Sequence, residues 1–238
     1  MKDSIPSLLD EIRESLRSIG SDLPKRVDGR ALSQSSKLPF KVLVYRSSLT
    51  WRMAELSRTA FEEFVNDRLA CAVVLTRAAV ETGAALWYLC AKVSDAVDSG
   101  QLGDIDDYLM RMIVGVATDP PIDANTGEPI TPRPIRIGTF LNCVEKELVG
   151  FNLQYGYLSE YAHPNWAGTV YLYSQHNEGK ATTDFGANIR ATETTKLIGV
   201  TNLSVALRMF DSSCSQLAEL IPAFTELCEQ RSKAAPSA

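Results

Sequence analysis

The sequence predicts a mainly α-helical, multi-helix bundle with long central helices and one small β-hairpin near residues 169–185. Three observations carry this expectation. Apolar residues recur at three- and four-residue spacing through most of the 238 residues, which is the signature of amphipathic helices. One stretch, from Leu69 to Val93, is apolar on nearly every face, and such a helix belongs at the centre of a bundle. A single segment breaks the helical rule: Thr169 to Ser174 is rich in β-branched and aromatic residues, and Ala181 to Phe185 returns after a His176-Asn-Glu-Gly-Lys180 turn.

Taken in order, residues 3–19 read as an amphipathic helix with Ile5, Leu8, Leu9, Ile12, Leu16 and Ile19 inward and Gly20 as its stop. Residues 21–39 carry Pro24, Gly29 and Pro39 and read as a connector. Two long helices follow, at about 40–65 and 67–99, with Asn66 and Asp67 as natural N-caps between them. A shorter helix spans Asp104 to Ala117, and the proline-rich segment 119–137 is an irregular loop. Thr139 caps a helix running to Leu148, and residues 152–162 form the next. Residues 192–231 make the last long helix, with an inward stripe from Leu197 to Ile221, a kink at Pro222 and a frayed tail. No repeat or shift of composition appears, so residues 1–238 are expected to form one helical domain: a helix and connector over 1–39, and the bundle core over 40–231.

The composition excludes several classes. A net charge of −5 argues against general avidity for phosphate backbones. The basic residues between Arg13 and Lys37 read as a solvated surface. The start lacks a basic region followed by an apolar run, so no secretory leader is expected. Arg77, Glu81 and Lys92 interrupt the most apolar stretch, favouring a core helix over a membrane span. Five scattered cysteines read as reduced core thiols of a cytoplasmic protein. No cofactor motif is present: phosphate-cradling loop, dinucleotide fingerprint, nucleophile elbow and zinc spacing are all missing. A metal site would have to join His163 and His176 to distant carboxylates, so none is expected.

The chemically capable residues gather in Tyr155-Gly-Tyr-Leu-Ser-Glu-Tyr-Ala-His-Pro-Asn-Trp-Ala-Gly168. On a helix over 152–162, Tyr155, Ser159 and His163 share one row, and Pro164 places His163 at the helix end. Ser159 is a candidate hydrogen-bond partner of His163. On the central helix, Arg77 and Glu81 are four apart on one face. They form either a register-fixing ion pair or the polar lining of a pocket.

The helix Leu75-Thr-Arg-Ala-Ala-Val-Glu-Thr-Gly-Ala-Ala-Leu-Trp-Tyr-Leu89, with Leu158-Ser-Glu-Tyr-Ala-His-Pro164 downstream, resembles uncharacterised bacterial domains of the DUF5677 kind, relatives of the HEPN-like all-helical group. The resemblance covers roughly residues 40–165 and implies a helical bundle, often paired with a second copy. In active HEPN ribonucleases an arginine stands four to six residues before the histidine. Here Gly156 to Glu160 hold none, so Arg77 would have to replace it in space. The favoured expectation is non-catalytic binding of a partner or small ligand near Arg77, Glu81, Ser159 and His163, with Tyr155, Tyr161 and Trp166 as walls. The alternative is a metal-independent endoribonuclease of a defence or toxin-like system, with His163 as acid or base and Arg77 as electrostatic stabiliser. A purely structural homodimer module is the third reading. RNA as a partner is disfavoured by the net charge, and no membrane partner is expected.

Overall fold

The computed structural model describes residues 4–21, 23–187, 189–190 and 193–234. The expected helix positions Asp3 and Thr192, and the tail Ala235 to Ala238, lie outside the described residues. The chain runs α1 (Ile5–Ser21), α2 (Gly29–Leu32), α3 (Leu38–Val65), α4 (Leu69–Ser99), α5 (Ile105–Ile113), α6 (Ile137–Glu145), α7 (Phe151–Ala162), β1 (Ser174–Asn177), β2 (Thr182–Phe185) and α8 (Glu193–Ala234). It is a mainly helical bundle with one two-stranded antiparallel hairpin.

Helix α4 is the centre of the bundle. It packs against α3, α6, α7 and α8, and Ala72, Val73, Ala79, Val80, Leu86, Leu89 and Val93 are all at or below 1% exposure. Helix α4 is long and apolar enough to cross a membrane, but more than half of its most apolar window is buried inside the bundle. Small residues let the helices approach. A Cβ on Gly199 of α8 would lie 2.5 Å from the fully buried Phe64 ring of α3, so only glycine fits there without displacing the ring.

Helix α1 covers the bundle by packing on α3 and α8. Leu8 and Ile12 are buried, and Glu11 reaches α8, accepting hydrogen bonds from Ser204 and Arg208. These hydrogen bonds, with Arg208 the strongest, hold the Glu11 carboxyl below its ordinary range against the opposing effect of burial. Helix α3 starts with Pro39 in its first turn, where the missing N–H is not needed.

Several expected boundaries move. Gly20 does not stop α1, which runs on to Ser21. Asn66 and Asp67 do not cap α4. Asn66 instead donates from Nδ2 to the Glu62 carbonyl at 2.8 Å, and Asp67 turns the chain with φ of 55°. The pair ends α3, and Arg68 begins α4 without a side-chain cap. Helix α5 stops at Ile113 rather than Ala117, because the chain at Gly115 lies against the Pro134 backbone of the returning loop. Helix α6 begins at Ile137, behind Arg136 and without the expected Thr139 cap, and ends at Glu145 rather than Leu148.

In α8, Val200, Leu203, Leu207, Phe210 and Leu217 are buried as the periodicity requires, but Leu197 is exposed. The helix continues through Pro222 and on to Ala234. Arg231, expected in a frayed tail, is tied by a 2.5 Å bond to the Gly100 carbonyl at the end of α4.

Candidate functional site

Helices α4 and α7 lie side by side, and the predicted site residues fall along their seam. The start of α7 is fixed from α6: Glu145 accepts from the Gly150 and Asn152 amides at 2.9 and 2.7 Å. Those two backbone bonds hold its carboxyl below the usual range. A carboxylate at a helix N-terminus also complements the helix dipole. Leu158 and Phe151 are the buried residues of α7 and press it onto the core.

One station of the seam is a closed polar network. Arg77 and Glu81 form an ion pair at 3.3 Å, and each side chain is under a third exposed. Tyr155 of α7 bridges them: Arg77 Nε donates to its hydroxyl at 3.0 Å, and the hydroxyl donates to Glu81 Oε1 at 2.7 Å. The Arg77 guanidinium lies 5.2 Å from the Tyr155 ring centroid, a cation–π distance. Burial, then the bond to Glu81, raises the Tyr155 hydroxyl above its ordinary pKa. Glu81 also borders a shallow cleft between α3 and α4, beside Tyr45, Arg52 and Thr82.

Ser159 and His163 are not a hydrogen-bonded pair through their side chains. The Ser159 hydroxyl donates to the Tyr155 carbonyl at 3.0 Å, the usual bond of a mid-helix serine to the residue four back. His163 caps α7 in extended geometry, its backbone N–H on the Ser159 carbonyl, as the following proline demands. Its side chain is exposed. From Tyr155, where the Arg77 guanidinium is held, His163 is eight residues along the chain, about 12 Å of helix. Arg77 and His163 therefore occupy separate stations, and among the described residues no arginine or lysine lines the groove beside His163.

That groove has a volume of about 510 Å³ and opens between the first turns of α4 and the end of α7. Cys71, Val74 and Leu75 form one wall, and Tyr161, His163 and Thr169 the other. The Tyr161 hydroxyl accepts a hydrogen bond from the buried Thr195 of α8 at 3.1 Å, which locks the ring in place. The floor depends on Gly168. A Cβ there would sit 2.1 Å from the His163 carbonyl oxygen.

Around that close approach, residues Ala167–Tyr171 form a π-helical turn, closed by Tyr171 N on the Trp166 carbonyl at 2.9 Å. Thr169 to Tyr173 are thus not the first strand of the hairpin. That strand begins at Ser174 and pairs with Phe185, and Asn177 pairs with Thr182. Trp166 does not line the groove; it is 62% exposed and packs on the Tyr171 ring at 5.1 Å.

Sequence reasoning missed Cys71, Val74 and Thr169 as groove residues. Cys71, Val74 and Leu75 share one face by helical spacing, but nothing in an all-apolar helix marks which face stays uncovered. Among the described residues, no group of three or more His, Cys, Asp or Glu side chains is placed to hold a metal ion. Comparison with protein-family models, with curated proteins and with solved structures gives no match.

Proposed function

We propose that the chain is a HEPN-like, cytoplasmic binding module without catalytic activity, which takes a small, largely apolar ligand in the groove beside His163. The observation that carries this reading is the lining of that groove. Its walls are apolar, its polar groups are few, and the exposed imidazole stands at its edge. That combination suits orientation of an apolar ligand by one or two hydrogen bonds. The Arg77-x-x-x-Glu81 and Ser159-x-x-x-His163-Pro motifs lie on packed helices, in keeping with the resemblance seen in the sequence. A homodimer belongs to the same proposal, and the exposed Val149, Leu153 and Tyr157 at the start and along α7 supply an apolar face for it.

The ribonuclease alternative has less support, because a developing phosphorane charge beside His163 meets no cation among the described residues of the groove lining. Indole, an aromatic ring with one hydrogen-bond donor, serves as the probe. It is expected to shift the His163 imidazole resonances saturably. Val74→Arg, at a 47% exposed position on the groove wall, is expected to abolish that shift without altering the melting temperature. A shift that never saturates, or that survives Val74→Arg, removes the groove as the site. Incubation with mixed RNA in EDTA is expected to give no His163-dependent cleavage; cleavage lost in His163→Ala would favour the nuclease reading instead.

A further inference from the structure

A second, open cavity of about 680 Å³ lies elsewhere on the bundle, bordered by the end of α1, the connector, α2, α3 and α8. Its outer wall is built. The Trp51 indole donates to the Pro24 carbonyl at 2.8 Å, and Asp28 caps α2 by accepting from the Arg30 and Ala31 amides. These contacts hold the connector over the space instead of letting it collapse inward. Ile19, Leu43 and Phe210 give the cavity an apolar body.

Its polar groups are arranged on two facing walls. Helix α3 presents Arg46 and Thr50, one helical turn apart, and α8 presents Asp211 and Cys214, also one turn apart. Burial raises the pKa of the Cys214 thiol, the Arg46 charge opposes that and the Asp211 carboxylate adds to it, so the thiol is close to both charges. Arg46 and Asp211 nevertheless form no ion pair with each other or with any other described residue. Arg46 is half-buried, so it is partly removed from solvent without a carboxylate in exchange, and an incoming anion would offset that loss.

Among the described residues the lining holds two arginines, Arg26 and Arg46, and two aspartates, Asp28 and Asp211, which balance in charge. A simple anion would be drawn by Arg46 and repelled by Asp211. A molecule with both charges satisfies both walls.

We propose that this cavity binds a zwitterionic amino acid or short peptide with an apolar side chain. Its carboxylate sits on Arg46 and its ammonium on Asp211, and its apolar body rests against Ile19, Leu43 and Phe210. Arginine is the side chain best suited to grip a carboxylate through two parallel hydrogen bonds. The site is separate from the groove beside His163, and the two proposals stand or fall independently.

Calorimetric titration of the full chain with leucine, phenylalanine and leucyl-phenylalanine tests the assignment. At least one is expected to bind saturably. For phenylalanine, the end-deleted analogues phenylalaninamide and 3-phenylpropionate are each expected to bind at least about tenfold more weakly, the equivalent of one lost charged contact. Arg46→Met and Asp211→Asn are each expected to weaken binding of the best probe by a similar factor. Asp211 is exposed and its side chain makes no hydrogen bond among the described residues, so Asp211→Asn keeps the fold even if Arg46→Met does not. The proposal is overturned if none of the three probes binds saturably. It is equally overturned if the analogues match phenylalanine, or if Asp211→Asn binds as the wild type does.

Discussion

At the scale of single residues, Gly168 and Gly156 have opposite roles, although they stand twelve positions apart in one stretch. A methyl group on Gly168 would collide with the His163 carbonyl at 2.1 Å and the Tyr161 carbonyl at 2.7 Å, whereas one on Gly156 meets nothing within 4 Å. Gly168→Ala is therefore expected to cost at least about 2 kcal/mol, since backbone atoms cannot step aside as a side chain can. Gly156→Ala, inside α7, is expected to stabilise by up to about 1 kcal/mol through helix propensity. Urea unfolding of the two variants checks both signs; equal effects would mean that the close approach at Gly168 carries no constraint. The same scale shows what a sequence can disclose about the site. Arg77 and Glu81 are legible because four-residue spacing on one helix fixes their neighbourhood before any tertiary structure exists. Tyr155 joins them through space from α7, and no spacing rule encodes that. Ser159 misleads because a hydroxyl inside a helix finds the carbonyl four residues back before it finds a distant imidazole. Ser57, Thr76, Thr82 and Ser213 behave in the same way.

At the scale of elements, the orientation of α7 depends on what fixes its first turn. Gly150 precedes it with φ of +90° and gives no side-chain cap, and Glu145 from α6 takes over that role by accepting from two amides. Glu145→Gln is expected to raise amide exchange at residues 150–153 and leave exchange in α4 unchanged, which hydrogen–deuterium exchange resolves by peptide. The Glu145 carboxyl is held below its ordinary range. The protection it gives is thus present above the unfolded carboxylate pKa, about 4.3, and is lost as pH falls through the lower folded value. Protection factors at residues 150–153 that stay constant from pH 3 to 6 in the wild type, once intrinsic exchange is divided out, would contradict that assignment. Most element types were readable from periodicity, but several boundaries and details were not. Asn66-Asp67 ends one helix instead of starting the next. Leu197 lies outside the buried stripe of α8. Thr169 to Tyr173 have strand-like residues in a helical turn. In that last case tertiary contact overrides intrinsic preference: Gly168 brings the chain against the end of α7, and Thr169 bonds back to the Asn165 carbonyl. Preference for strand is a preference for a pleated, half-buried surface, and no such surface exists at that point.

At the scale of the whole molecule, the bundle centred on α4 follows from one fact visible in the sequence: a helix apolar on all faces must be surrounded. The two cavities were not visible, because each is a gap between elements whose relative placement no local pattern encodes. The buried core has a further collective consequence in its titration. Burial pushes the thiols of Cys90 and Cys228 up to about 11 and the Tyr45 hydroxyl up to about 12, and it also raises Tyr88. In the unfolded chain a thiol titrates near about 8.5 and a tyrosine near about 10. A folded pKa above the unfolded one means that the native state keeps protons the unfolded state has already released. The stability these groups contribute is fully present below pH of about 8.5. It falls as pH rises and is exhausted above the folded values, near 11 for the two thiols and near 12 for Tyr45. Cys90 and Cys228 are 3% and 0% exposed, so each steepens the decline by at most about 1.4 kcal/mol per pH unit between those limits. Under reducing conditions, urea midpoints measured from pH 7.5 to 10.5 are expected to fall with accelerating slope. The double variant Cys90→Ala, Cys228→Ala is expected to start lower at pH 7.5, because two buried sulfurs are lost, yet to decline less steeply. If the variant and the wild type run parallel, the alkaline weakness lies with other groups that burial raises, Tyr45, Tyr88, Cys143 and Cys214.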